Sequence, residues 1–119
     1  MAATLQHDAG NRYRLQMSGR ITSSEWTVVE QQAAAEIVRS GAIRLFVDLR
    51  GFDGWDGTDW SNLGFYVRHG ESVERIAIVG DESWRSEALM FAGADLRKAA
   101  VAYFRPAEAD RARAWLTAA

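Results

Sequence analysis

Acidic and aromatic side chains are concentrated in the stretch "LFVDLRGFDGWDGTDW", residues 45–60. Behind an apolar run it places aspartates, glycines and two tryptophans, Trp55 and Trp60, in close succession. Carboxylates act as general acids or bases and bind hard cations, whereas tryptophans form the apolar walls of ligand pockets. A second stretch, "GDESW" at residues 80–84, adds Asp81 and Trp84. These two segments together are the first candidate site.

Two catalytic arrangements can be assembled from these residues. A small hydrolase would use the carboxylate cluster Asp53, Asp56 and Asp59. A nucleophilic mechanism would combine Ser83 or Ser86 with His69 and Asp81, but neither serine lies in a G-x-S-x-G turn. Acids this close together in a glycine-rich turn are expected to be solvated rather than to have strongly shifted pKa values. The sequence therefore predicts no catalytic residue, and the hydrolase is kept as an alternative.

Metal binding is a further interpretation of the same aspartates, because carboxylate oxygens suit a hard cation. Their spacing differs from that of the calcium-binding loop, in which donors alternate and a distal glutamate completes the site. The histidines, His7 and His69, fall in elements expected to lie apart, and the chain has no cysteine. Disulfides, thiolate zinc sites and thiol nucleophiles are thereby excluded. We expect neither a metal nor a cofactor.

Length and charge restrict the class of protein. The 119 residues, 48% of them hydrophobic, correspond to one domain over residues 1–119. The formal net charge is −2, and Lys98 is the only lysine, so nucleic acid is not an expected partner. No apolar run approaches the roughly 20 residues of a membrane span, and the N-terminus lacks signal-peptide order. We expect a cytoplasmic protein without a membrane span.

The first part of the chain predicts a hairpin and a helix. "ATLQH" and "RYRLQMSGRI" flank the turn "DAGN", and the second segment alternates apolar and polar residues as a half-buried strand does. In the following segment, Thr22 and Glu25 have capping-box spacing. Apolar residues then recur at helical intervals up to Gly41, which is a plausible helix end.

The rest of the chain alternates strands and helices. The apolar runs "AIRLFVDL", "RIAIVG" and "AAVAYF" predict buried strands, and "DWSNLGFYVRHG", "DESWRSEALMFAGADL" and "RPAEADRARAWL" predict helices. Asp81 or Ser83 is a candidate cap, and Pro106 occupies the position that proline prefers at a helix start. Alternation of this kind indicates an α/β fold with parallel strands, made mixed by the N-terminal hairpin.

The candidate site depends on strand direction. In open α/β sheets, ligands bind beyond the carboxyl ends of the parallel strands. If the strands ending at Leu49 and Gly80 are parallel neighbours, the two acidic and aromatic segments meet at one edge. Asp48 is unusual within its apolar run because a buried, unpaired carboxylate is costly. We interpret Asp48 as a residue that organises the following loop by accepting its backbone N–H groups, with direct ligand contact as the weaker alternative.

The sequence resembles the SpoIIAA-like family, small relatives of the STAS domain (sulphate transporter and anti-sigma factor antagonist). The resemblance rests on "SGRITSSEW", "LFVDLRGFDGW", "RIAIVGDESW" and "AYFRPAEADRARAWL" in that order, roughly from the hairpin to Trp115. It implies a mixed sheet of about five strands flanked by four helices. It also implies a protein that is not an enzyme and that binds a partner protein.

In these relatives, a kinase phosphorylates a serine at the start of the helix that follows this loop. Their "D-S-S-G" motif aligns with "DGTD", so Gly57 takes the place of the phosphorylated serine and Thr58 that of its neighbour. The carboxylates Asp56 and Asp59 would repel a phosphate group there. The resemblance therefore implies a lost phosphorylation switch, with Thr58 as a helix cap.

The leading hypothesis is a non-enzymatic regulatory domain that presents its strand ends to a protein or a small ligand. The predicted binding residues are Asp48, Trp55, Asp56, Thr58, Asp59, Trp60, Asp81 and Trp84. One alternative is a carrier or sensor of an apolar small molecule such as a lipid, with the tryptophans lining a cavity rather than belonging to the core. A homodimer that covers the aromatic edge is also compatible with the sequence.

Overall fold

A five-stranded mixed sheet forms the centre of the fold in the computed structural model, which describes residues 3–56, 73–86 and 100–118. Its strands are β1 (Ala3–Ala9), β2 (Arg12–Met17), β4 (Ile43–Asp48), β6 (Val73–Val79) and β7 (Ala100–Phe104). They lie in the order β1-β2-β4-β6-β7. β1 and β2 form the predicted antiparallel hairpin, and every other pair is parallel. The prediction of a mixed five-stranded sheet is confirmed.

The parallel register brings three strand ends to one edge of the sheet. Asp48 pairs with Val79, and Val79 in turn pairs with Phe104. Beyond these pairs, the N–H of Leu49 donates to Val79 O at 2.7 Å, and the N–H of Gly80 donates to Phe104 O at 3.0 Å. The prediction that the strands ending at Leu49 and Gly80 are parallel neighbours is therefore confirmed.

A second, two-stranded sheet was not predicted. β3 (Gly19–Thr22) and β5 (Phe52–Asp56) pair in parallel, so "RYRLQMSGRI" is not one strand and residues 52–56 are not a loop. Gly19 has a φ of 65°, which turns the chain out of the first sheet directly after β2. Its N–H donates to Gly51 O at 2.8 Å and so begins the new pairing.

The helix after β3, α1 (Ser23–Ser40), begins and ends as predicted. Thr22 Oγ1 accepts from the N–H of Glu25, and the Glu25 carboxylate accepts from the N–H of Thr22, which completes the capping box. At the other end, Gly41 has a φ of 80°, and its N–H donates to Ile37 O at 2.7 Å. A left-handed backbone at this position favours glycine.

The described residues contain two α-helices rather than four, α1 and α2 (Ala109–Thr117). α2 follows a 3-10 helix, Pro106–Glu108, so proline does stand at the helix start. The helix predicted over residues 59–70 lies outside the described residues. So does most of the helix predicted over 81–96, of which the structure shows a 3-10 helix, Glu82–Trp84, followed by two α-helical residues, 85 and 86. Neither α1 nor α2 is long and apolar enough to cross a membrane.

The two α-helices cover opposite faces of the sheet. Successive strand residues point to opposite faces, so each buried strand contributes to two cores. On the α1 side the core includes Tyr13, Leu15, Leu45, Val47, Ile76 and Ile78, together with Val29, Ala33 and Ile37 of the helix. On the α2 side it includes Phe46, Ala77, Val79, Ala112 and Leu116. The sheet is therefore packed on both faces, which holds its strand ends in place.

Candidate binding site at the strand-end rim

The carboxyl ends of β4, β6 and β7 form a continuous edge, here called the strand-end rim, which comprises residues 48–52, 80–85 and 103–105. Parts of both predicted segments of the site meet here. The chain leaves β4 through a short turn into β5, because the N–H of Phe52 donates to Leu49 O at 2.9 Å. The chain leaves β6 through Gly80 into the 3-10 helix that contains Trp84.

The Asp48 carboxylate is the buried charge of the strand-end rim, with 2% of the residue exposed. Oδ1 accepts from the backbone N–H of Arg50 at 3.0 Å, as the sequence predicted. Oδ2 accepts from Arg50 Nη2 and from Arg14 Nη2, both at 2.8 Å. Burial alone would raise the pKa of Asp48, but the Arg50 and Arg14 hydrogen bonds lower it to about 2.

This arrangement makes Asp48 an organiser of the turn between β4 and β5. Both Asp48 oxygens already accept hydrogen bonds from Arg50. The carboxylate therefore positions Arg50 and does not offer a free oxygen to a ligand. The arginine partners were missed at the sequence level. Arg14 lies on β2, 34 positions away, and becomes a neighbour only through the β2–β4 register.

Trp84 joins the two segments of the strand-end rim. Its ring packs edge-on against Phe52, with ring centroids 4.9 Å apart, and it lies against the hydrophobic core. Gly54 of β5 lies beneath the same ring, since a Cβ atom there would be 3.3 Å from Trp84 Cη2. The structure therefore brings Trp84 to the first segment, as the shared edge predicted, but in a packing contact.

The other predicted residues of the first segment divide into two groups. Trp55 and Asp56 belong to β5, where their backbones pair with Ile21 and Thr22. Gly57, Thr58, Asp59 and Trp60 lie outside the described residues. Participation of this segment in binding stays a prediction.

Asp81 and Tyr103 fix the second segment. Asp81 Oδ1 accepts from the N–H of Ser83 at 2.9 Å and caps the 3-10 helix, and the backbone and side-chain hydrogen bonds of Ser83 lower the pKa of Asp81. The Tyr103 hydroxyl donates to Asp81 O at 2.6 Å. Burial, assisted by the charges of Asp81 and Glu82, raises the pKa of Tyr103 to about 12. Tyr103 thus stays neutral and ties β7 to the loop after β6.

A groove with a volume of about 620 Å³ opens beside Tyr103. Its lining includes Glu82, Arg85, Tyr103, Arg105, Glu108 and Arg111. The charged side chains pair with one another, Arg85 with Glu82 at 3.4 Å and Arg111 with Glu108 at 3.2 Å. This charged surface was not predicted from the sequence, although the alternating charges of "RPAEADRAR" indicate it.

The described residues do not form a catalytic or a metal-binding arrangement from the predicted side chains. Asp81 and Ser83 act together as a helix cap, and His69 lies outside the described residues. Asp53 is exposed on β5, while Asp59 lies outside the described residues. Within residues 3–56, 73–86 and 100–118, no three histidine or carboxylate side chains are grouped as a metal site would require.

The sheet order, the helices on both faces and the strand-end rim define an α/β domain with a mixed five-stranded sheet. The chain belongs to the SpoIIAA-like family, whose model matches residues 12–117. This confirms the family that the sequence motifs indicated. Among curated proteins, none matches the chain.

Solved structures share the fold at low sequence identity. An uncharacterised protein of the DUF3478 family from Shewanella loihica PV-4, which has a SpoIIAA-like fold, is 17% identical, with a TM-score of 0.73. The match covers 97% of this chain and 92% of that one. The anti-sigma factor antagonist SpoIIAA in its unphosphorylated form is 13% identical, with a TM-score of 0.63 and coverage of 94% and 98%. At these identities the likeness to solved structures shows the fold alone.

Proposed function

We propose that this chain is a non-enzymatic regulatory domain that binds a protein partner through the strand-end rim. The observation that carries the proposal is the parallel register of β4, β6 and β7, which delivers three strand ends and their loops to one edge. Ligand sites of open α/β sheets lie at this edge, and we place the partner site there as well. The family supports the regulatory class, and the geometry supports the location.

The chemistry of the rim groove favours a protein surface over an apolar ligand. The groove is lined mainly by charged residues whose ion pairs are exposed and span one helical turn. Such pairs contribute little to stability, about 0–1 kcal/mol, and can exchange for opposite charges on a partner. Trp84, which a lipid carrier would need as a cavity wall, instead packs on Phe52. The described residues therefore supply no support for the carrier alternative.

The proposal includes the loss of the phosphorylation switch. Gly57 has no hydroxyl group, and it stands where the relatives carry the phosphorylated serine. Asp56 and Asp59 would disfavour a phosphate on the neighbouring Thr58. We expect mass spectrometry of the protein from its native cells to find Thr58 unmodified. Stoichiometric phosphorylation of Thr58 would contradict this part of the proposal.

A site-specific photo-crosslinker tests the location. The crosslinker replaces Glu82, which is exposed in the rim groove, and in a control variant it replaces Gln31, which is exposed on α1. After irradiation in the native cells, we expect one discrete protein adduct from position 82 and none from position 31. Adducts of equal yield at both positions, or none at 82, would contradict the proposal.

Charge reversal then tests the chemistry with the partner so identified. Arg105 is an exposed residue of the groove lining and pairs with Glu108 at 3.5 Å. Arg105→Glu should weaken binding about tenfold or more by introducing like-charge repulsion. Arg39→Glu, a reversal on α1, serves as the matched control and should leave the affinity unchanged. A homodimer through the strand-end rim would appear as an adduct with a second copy of this chain, and would replace the proposed partner.

A further inference from the structure

A second groove lies away from the strand-end rim, between the β1–β2 hairpin and the C-terminal half of α2. It has a volume of about 380 Å³, and its lining includes Asp8, Arg12, Arg14, Phe46, Arg113 and Thr117. We call it the arginine groove. Among the described elements, α2 packs mainly on β4, β6 and β7 and therefore lies beside the hairpin rather than over it. A space of this size accommodates a small molecule.

Three arginines converge on the arginine groove against one exposed carboxylate, Asp8. In the part of the chain that the structure describes, the Arg12 guanidinium makes no ion pair or hydrogen bond, and its Nε is buried without a partner. Arg14 Nη2 donates to Asp48, but Arg14 Nε is also buried and unpartnered. Buried donors without partners are rare in native proteins, so a bound hydrogen-bond acceptor is expected beside these arginines.

Arg113 reaches the arginine groove from α2. Its guanidinium carbon lies 5.3 Å from the centroid of the Phe46 ring, which is 4% exposed. Stacking on an aromatic ring fixes the plane of a guanidinium and leaves its N–H groups free to donate. Arg113 is thus oriented by Phe46 without being neutralised.

The nearby C-terminus of α2 does not oppose an anion as strongly as an open helix end would. Helix C-termini carry partial negative charge on their unpaired carbonyl groups. Here Arg44 Nη1 donates to Leu116 O at 2.8 Å and to Ala118 O at 2.7 Å. Arg75 Nη1 donates to Trp115 O at 2.7 Å. The helix end is therefore satisfied by arginines of β4 and β6, and the groove arginines Arg12 and Arg113 stay available.

We propose that the arginine groove binds a small phosphate monoester. Guanidinium groups bind phosphate oxygens in a planar, paired geometry, which the unpaired Arg12 and the stacked Arg113 provide from opposite walls. Asp8 accepts a hydrogen bond from a hydroxyl group of the same ligand, which distinguishes a phosphate ester from free phosphate. This site is separate from the strand-end rim and does not depend on the proposed protein partner.

Calorimetric titrations with glycerol 3-phosphate and with inorganic phosphate, at constant ionic strength, test the site. We expect saturable binding of both, with tighter binding of the ester. Arg12→Gln and Arg113→Gln should each weaken binding about tenfold or more, because each removes a charge-assisted hydrogen-bond donor. The matched control is Arg111→Gln, which removes the same charge from the same helix on its other side and should leave the affinity unchanged.

Asp8→Asn separates the two parts of the ligand. It should weaken binding of glycerol 3-phosphate while inorganic phosphate binds as well as before or better, because a repulsive charge is gone. Circular dichroism confirms that each variant is folded, and Arg113→Lys, which keeps the charge without the planar fork, should bind less tightly than the unaltered chain. Absence of saturable binding, or equal weakening by Arg111→Gln, would overturn the proposal.

Discussion

Arg14 Nη2 donates to Asp48 Oδ2 at 2.8 Å, so a side chain of the N-terminal hairpin reaches the buried carboxylate at the end of β4. The same oxygen accepts from Arg50 Nη2 at 2.8 Å. One carboxylate thereby links β2, β4 and the turn into β5. Because the turn into β5 belongs to the strand-end rim, the stability of this link and the shape of the rim are coupled.

Replacing Asp48 by Asn should destabilise the fold at neutral pH by about 2 kcal/mol, the free energy that corresponds to the lowered pKa. The native pKa of about 2 lies below the ordinary value of 3.8. The stabilisation is therefore fully present above about pH 4 and is lost as the pH falls from about 4 towards 2, with about 1 kcal/mol gone by pH 3.

Urea unfolding of the unaltered chain and of Asp48→Asn at pH 7, 5, 4 and 3 measures this difference. The difference in free energy of unfolding between the unaltered chain and Asp48→Asn should become smaller only in the acidic samples. Asp53→Asn, at an exposed aspartate of β5, is the control and should stay within about 0.5 kcal/mol throughout. A gap that is constant across the series would show that Asp48 does not hold its arginines as a charged group.

Gly80 permits the close approach of the Leu49 and Tyr103 side chains to the end of β6 at the strand-end rim. A Cβ atom at this position would lie 2.7 Å from Tyr103 Oη and 2.9 Å from Leu49 Cβ. Gly80→Ala should therefore cost about 1–3 kcal/mol in free energy of unfolding through overpacking. Adding Tyr103→Phe removes the nearer clash, so the double variant should be less destabilised than the sum of the single variants. Strict additivity of the two effects, measured by chemical denaturation, would contradict the geometry.

The main sheet and its edge could be predicted from the sequence because their signals are local. Continuous apolar runs define β4, β6 and β7, and the alternation with helices dictates that they are parallel. Thr22, Glu25 and Gly41 mark the ends of α1 by their own chemistry. Each of these features is decided within a few residues, so the sequence pattern suffices.

The second sheet and the Asp48 network could not be predicted, because both depend on partners distant in the chain. Glycine and aspartate in "GFDGWD" favour a loop by local propensity, yet pairing with β3 makes residues 52–56 a strand. Of the predicted site residues, Asp48 and Asp81 prove to hold the backbone of the strand-end rim. The charged groove was missed because its two sides come from opposite ends of the segment 82–111.

Tyr103 should titrate late. Burial and the neighbouring charges raise its pKa to about 12, so the phenol favours the neutral form that donates to Asp81 O. Because this pKa is raised above the ordinary value of 10.0, the stability it contributes is complete below pH 10 and is lost as the pH rises towards 12.

Ultraviolet absorbance of phenolate follows this titration directly. We expect a component near pH 12 that disappears in Tyr103→Phe. Tyr13→Phe, at a tyrosine of β2 whose hydroxyl donates instead to Glu36 of α1, should leave that component in place. If Tyr103→Phe left the late component unchanged, the hydroxyl would not be held as described.

A double-mutant cycle between Trp84 and Phe52 decides whether Trp84 is a packing residue or a ligand wall. The two rings meet edge-on with centroids 4.9 Å apart, and edge-to-face aromatic pairs contribute about 0.5–1.5 kcal/mol beyond the area they bury. Trp84→Leu and Phe52→Leu should each destabilise the chain, and the double variant should lose less than the sum by about that coupling free energy. Val38→Ala, at a residue with 84% exposure, is the control and should leave stability nearly unchanged. A coupling free energy of zero in urea unfolding would show that Trp84 does not pack on Phe52. The ring would then be free to contact a ligand, and the tryptophan-lined pocket would be the better interpretation.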